Sequence, residues 1–164
     1  MKSKIVQLFE QVQKISYNIG KFDKDLVNPD IPYGDCRHKS ELLYSLLSKE
    51  GYKVKKLKVE FNWKDLPIPK NILDILKISA TIFPHNLLLV KINNKWIKVD
   101  CTWNPELENK GFPITKNWDG ETDTKQITKG KLKFYKEEAY IKKRKTIKEE
   151  AFKFAEGLNK YLSS

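Results

Sequence analysis

Residues 79–92 and 95–102 are two strand-like apolar runs separated by Asn93-Asn94. Asparagine tolerates positive φ, so this pair predicts a two-residue hairpin turn. The turn fixes the register, and the register decides which side chains share a face. With a two-residue loop, Leu87 lies opposite Asp100 and His85 opposite Thr102. His85 and Asp100 then become diagonal neighbours on one face. Their Cβ atoms would be about 7 Å apart or somewhat less, within reach of an imidazole–carboxylate bond. Trp96 and Lys98 share that face, while Cys101 falls on the other with Val90, Ile97 and Val99. A loop longer or shorter by one residue would separate His85 from Asp100. Taken singly, His85 reads as a polar residue at a strand start and Asp100 as a charge at a strand end.

Periodicity around the hairpin predicts a helix at each end of the chain. Ile5, Leu8, Val12 and Ile15 recur at spacings of three and four, which predicts a helix over 3–17. Tyr140, Ile147, Ala151, Phe154, Leu158 and Tyr161 make a helical stripe, which predicts a closing helix over 134–162. Between them, 21–32 reads as a connection with Asn-Pro and Ile-Pro breakers. A helix from Cys36 to Glu50 ends at Gly51, and 53–61 alternates like a strand. A short helix is expected over 71–77, a break in the first hairpin strand at Pro84, and a long polar connection over 103–130. Helices around central strands predict one α+β domain over 1–164, a length that suits a single domain.

No stretch of about 18 apolar residues is present, so no membrane span is expected. The first residues are amphipathic rather than signal-like, which predicts a cytoplasmic protein with reduced thiols. Two cysteines then do not make a disulfide framework. Lysine and arginine number 32 against 21 acidic residues, for a net charge of +11. Only Arg37 and Arg144 are arginines. Base recognition leans on arginine, so a lysine-dominated surface argues against a nucleic-acid partner. Lys142-Lys143-Arg144-Lys145 is the densest patch and keeps a nucleic-acid-associated protein as an alternative.

Gly34-Asp35-Cys36-Arg37-His38 opens the second helix, with Asp35 as N-cap. A thiol in the first turn sits at the positive end of the helix dipole, which favours thiolate. At about 100° per residue, Ser40, Leu43 and Leu47 fall within about 40° of Cys36. Cys36 is thus at the open end of the apolar stripe, facing the sheet. A buried structural cysteine fits this segment equally well, and Cys101 reads as a small buried apolar residue. His38 lies about 200° from Cys36, a poor position for a base or for a shared metal. No second C-x-H or C-x-x-C unit exists, so no metal site is expected. Cys36, His85 and Asp100 together supply the nucleophile, base and orienting acid that thiol acyl transfer requires.

These segments resemble the transglutaminase-like superfamily. Gly34-Asp35-Cys36-Arg37-His38 with Glu50-Gly51-Tyr52-Lys53-Val54 is similar to its cysteine motif. Pro84-His85 before Leu87-Leu88-Leu89-Val90 is similar to its histidine strand, although Asn86 departs from the small or aromatic residue usual there. Trp96-Ile97-Lys98-Val99-Asp100-Cys101-Thr102-Trp103 resembles its aspartate motif. The resemblance covers about 31–104 and leaves the terminal helices outside. It implies a papain-like core in which the cysteine helix packs on an antiparallel sheet, with Cys36 as nucleophile, His85 as base and Asp100 as orienting acid. It also implies an oxyanion donor at the Cys36 backbone, with Asn28 or Tyr33 as candidate second donors. Trp63, Trp103 and Trp118 are candidate cleft walls, or core. No cofactor is implied, and no acidic cluster matches a calcium site. The expected chemistry is acyl transfer or hydrolysis on amides of a peptide or protein through a thioester. The alternative is a non-catalytic peptide-binding module of the same fold.

Overall fold

The computed structural model describes residues 1–20, 29–30 and 32–164. In chain order they form α1 (Lys4–Gln13), β1 (Ser16–Tyr17), β2 (Tyr33–Gly34), α2 (Cys36–Lys49) and β3 (Val54–Asn62). Then come α3 (Lys70–Leu73), β4 (Ile82–Ile92), β5 (Lys95–Val99), β6 (Lys133–Lys136) and α4 (Lys148–Leu162). The class is α+β, built on an antiparallel four-stranded sheet of order β5-β4-β3-β6. β1 and β2 form a separate short parallel pair that brings Tyr17 beside Gly34. No helix among the described residues is long and apolar enough to cross a membrane.

The hairpin forms as its turn dictates. Asn93 and Asn94 both adopt the left-handed conformation, at φ 48° and 63°. Leu88 pairs with Val99, Val90 with Ile97, and Ile92 with Lys95. The sheet divides the core in two. On one face Leu88, Val90, Ile97, Val99 and Cys101 meet Ile5, Phe9 and Val12 of α1 and Leu43 and Leu47 of α2. On the other face Val59, Phe61 and Leu87 meet Phe154 and Leu158 of α4, together with Trp63 and Trp103.

Several boundaries differ from the sequence reading. α1 stops at Gln13, and 16–17 become β1 because their backbone pairs with the strand leading into α2. The helix expected over 134–162 begins only at Lys148. Residues 133–136 instead pair with β3, whose outer edge would otherwise expose unpaired backbone groups. The consecutive cations of 142–145 repel one another, and residues 141–147 form no regular secondary structure between β6 and α4. Pro84 does not break β4. β5 ends opposite Leu88, so Pro84 lies where β4 is an edge on that side and its missing N–H costs no ladder bond there. The connection over 103–130 carries only a 3-10 turn, yet it buries Leu107, Phe112, Ile114, Trp118 and Ile127.

Both terminal helices pack on the sheet. α1 buries Ile5, Val6, Leu8, Phe9 and Val12, and α4 buries Phe154, Leu158 and Leu162. Glu150 fastens the start of α4, accepting hydrogen bonds from the N–H groups of Lys77, Ile78 and Ser79. Those bonds hold its carboxyl down to about 2.

Leu43 is fully buried between α2 and the sheet, whereas Phe152 on α4 is 58% exposed. Leu43→Ala is expected to lower stability by roughly 2–5 kcal/mol. Phe152→Ala should stay within about 0.5 kcal/mol of the parent. Urea unfolding midpoints at constant m-value check both.

Candidate active site

Asp35 caps α2, its carboxylate accepting from the Arg37 backbone N–H at 2.9 Å. Arg37 folds back over it in a 2.7 Å ion pair. Cys36 is therefore the first helical residue, half-buried, and its own N–H is not the one used by the cap. Gly34 just before the cap is needed for space: a Cβ there would lie 2.3 Å from Nδ1 of His38. His38 is buried on the side of the helix away from Cys36. No group of three or more potential metal-ligating side chains occurs among the described residues.

His85 and Cys36 meet at an edge of the sheet rather than over its face. His85 pairs with Val59 and so belongs to the face covered by α4, with Phe61 edge-on to its ring at 5.9 Å. The leucines of α2 cover the opposite face. β5 ends at Val99, which leaves the β4 edge open from Leu87 back to Ile82. The start of α2 comes up to that edge, and Cys36 and His85 line one cleft, close enough for the thiol to act on the charge of the ring. The apolar stripe that Cys36 continues does face the sheet, but its leucines lie on the other side from His85.

The second contact of His85 is direct. Its Nε2 donates to Asp100 Oδ2 at 2.7 Å, with both side chains buried. Nδ1 is thereby left as the ring nitrogen available to Cys36. Asp100 is itself held, since Oδ1 accepts from the Thr102 N–H at 3.0 Å and its own N–H donates to Thr124 Oγ1 at 2.8 Å. Burial alone would lower the His85 pKa, but Asp100 and Cys36 outweigh it and raise the ring to about 10. Burial likewise opposes ionisation of Asp100, and His85 and Thr102 reverse this, so its carboxyl titrates below the usual range. Cys101 sits on the far side of the sheet, 4% exposed, where burial pushes its thiol up to about 12.

Cys36 and His85 open into a cleft of about 270 Å³ bordered by Tyr17, Trp63, Phe83 and Arg144. Of the three tryptophans read from the sequence, Trp63 lines this cleft. Trp103 lies behind it, in ring contact with Tyr17 at 4.6 Å and Trp63 at 6.5 Å, its Nε1 bonded to Ile127 O. Trp118 is not a wall of the cleft. It packs on Phe9 in the core across the sheet, because its connection crosses to the α1 side. Tyr33 is 48% exposed and does not border the cleft, since β2 turns it outward. Asn28 lies outside the described residues. Tyr17, Phe83 and Arg144 are among the cleft residues that the sequence did not point to. Tyr17 carried a helix assignment, and Arg144 was absorbed into a charged run.

Lys39 is the other unforeseen feature. One turn into α2, its ammonium is fully buried and donates to the carbonyls of Gln13, Ile15 and Thr102 at 3.0, 2.6 and 2.7 Å. It ties the end of α1 to the segment whose next bond, Thr102 N–H to Asp100, orients the carboxylate. Burial lowers its pKa to about 8, partly offset by Cys101 and Asp100.

No family model, curated protein or solved structure matches the chain.

Lys39→Met removes one donor from three carbonyls and also relieves a buried charge. A net loss on the order of 3 kcal/mol is expected. The pH dependence has a definite sign. Between about 8 and the unfolded value near 10.5, the unfolded chain holds the lysine proton and the folded chain releases it. The parent should therefore gain stability over Lys39→Met as pH rises through that window. Denaturant unfolding of both proteins at a series of pH values measures the difference.

Proposed function

We propose that the protein is a cysteine-dependent acyl-transfer enzyme of the transglutaminase-like, papain-like kind, acting on amide bonds of a peptide or protein substrate in a reducing, cytoplasmic setting. The observation that carries this reading is the buried 2.7 Å His85–Asp100 bond, on a ring whose other nitrogen is left for the Cys36 thiol. Thiol, base and orienting acid in contact order are the parts such chemistry needs.

In this mechanism the Cys36 proton already resides on His85 Nδ1 before substrate arrives, and Asp100 stabilises that imidazolium. The sulfur attacks the amide carbonyl carbon, forming a C–S bond and an oxyanion. The Cys36 N–H at the start of α2 donates to that oxyanion. Tyr17 is the proposed second donor. Its phenol lies near Cys36 in the cleft, and burial, Cys36 and Asp35 keep it protonated well above the ordinary range. As the C–N bond breaks, His85 returns its proton to the leaving amine, and a thioester remains. Water, deprotonated by His85, then releases the acid, or an amine in its place forms a new amide. Water is the favoured acceptor, because the described border of the cleft offers no unpaired carboxylate to hold an amine.

The test is iodoacetamide labelling near pH 6, followed by peptide mass analysis. Cys36 is expected to react at least about tenfold faster than Cys101, since few ordinary thiols are ionised there. His85→Ala should slow Cys36 markedly. Equal rates for the two cysteines, or no effect of His85→Ala, would refute an activated nucleophile and leave a peptide-binding module.

A further inference from the structure

The segment between β6 and α4 passes the cleft and is pinned where it leaves, by the Ala80 N–H to Lys145 O bond at 3.0 Å and the Ile147 N–H to Ser79 Oγ bond at 2.8 Å. Lys142, Lys143 and Lys145 point to solvent, whereas Arg144 turns inward. Its guanidinium stacks on Phe83 with the central carbon 3.9 Å from the ring centroid, and it borders the cleft that holds Cys36 and His85. Stacking fixes the plane of the fork while leaving its hydrogen-bonding edge unspent.

That edge lacks an acceptor. Arg144 Nε and Nη1 are buried and find no hydrogen-bond partner among the described residues. The same holds for Nε1 of Trp63, another cleft residue, and for the hydroxyl of Tyr140, which lies close enough to Arg144 to affect its charge. Arginine and indole N–H groups can only donate. Buried donors are nearly always satisfied, and each one left unpaired costs roughly 1–3 kcal/mol. Unpaired donors grouped around one cleft therefore call for a ligand rich in acceptors and poor in donors. The rim agrees in sign. Among the described residues, Arg37, Lys58 and Arg144 border the cleft against one carboxylate outside the triad, Asp35, and Arg37 already pairs with it.

We infer that Arg144, seated on Phe83 beside Cys36, is a carboxylate-binding subsite, and that the substrate carries an anionic carboxylate close to the amide that Cys36 attacks. Nη2 is the guanidinium nitrogen that is not among the buried unpaired atoms, so an incoming carboxylate is proposed to dock there first. A small rotation of the side chain then brings a second nitrogen onto its other oxygen, the bidentate arrangement that arginine favours. The carboxylate comes either from an Asp or Glu side chain or from a chain terminus. The inference rests on the reading of Cys36 as the reacting thiol, and it deepens that reading by naming the substrate class.

Three matched haloacetyl probes separate these possibilities: iodoacetyl-glycinamide, which is neutral; iodoacetyl-glycine, with a terminal carboxylate; and iodoacetyl-glutamate α-amide, with a side-chain carboxylate. Alkylation of Cys36 is followed by mass spectrometry. The charged-to-neutral rate ratio is normalised to the same ratio for N-acetylcysteine amide. A normalised ratio of about ten or more is expected for at least one carboxylate probe, and the better probe identifies the source. Arg144→Gln should bring the ratio to about one, Arg144→Lys should keep part of it, and Lys143→Gln, which changes an exposed cation of the same segment, should keep all of it. A parent ratio near one, or a preference that survives Arg144→Gln, overturns the subsite. A preference lost equally in Lys143→Gln overturns it too, in favour of general surface charge. Failure of the catalytic reading looks different: the neutral probe would then react with Cys36 no faster than with the small thiol, whatever the ratio.

Discussion

Asn93 and Asn94 turn β4 back on β5 with both residues at positive φ, and the rest of the site hangs on the pairing that follows. Side chains alternate across a strand, so a slip of one residue would carry Asp100 through the sheet and leave His85 buried without its carboxylate. The same register sends Leu88, Val90, Ile97, Val99 and Cys101 to the side where α1 and α2 pack. One turn therefore fixes both the larger helical contact and the chemistry on the opposite face. The early end of β5 matters as much. It opens the edge of β4 beside His85, and the first turn of α2 occupies that opening.

The site concentrates charge where burial opposes it. His85, Asp100 and Lys39 are all buried, and each is held by specific partners within the protein. Asp100 takes His85 on one oxygen and the Thr102 N–H on the other. Lys39 takes the carbonyl of that same Thr102. The cation and the carboxylate are thus linked through one peptide unit, which gives the acid a rigid mount. An unpaired carboxylate in this place would be neutral, and a neutral acid would not hold an imidazolium.

Much of this was legible in the residues. The hairpin register followed from two asparagines, the helix cap from Asp35, and the separation of Cys101 from the site from strand parity. The α+β class followed from the apolar periodicities. What escaped depends on tertiary structure. β6 formed because an edge strand needed a partner, a demand that lies on β3 rather than in Phe134 or Tyr135. The Trp118 position depends on where a long connection crosses the molecule. Lys39 looked like one lysine among many, because a helical wheel does not show that three carbonyls converge on it. Arg144 was hidden in a basic run, and only the inward turn of one residue of that run distinguishes it from its neighbours.

The proposed chemistry requires His85 to be a cation paired with Asp100 beside Cys36. The chain has two histidines, so an NMR titration of imidazole nitrogens can be assigned by difference with a His38 variant. His85 is expected to stay protonated up to about pH 10, and Asp100→Asn is expected to lower this value substantially. A His85 ring that titrates near the ordinary 6.5, unmoved by Asp100→Asn, would contradict it.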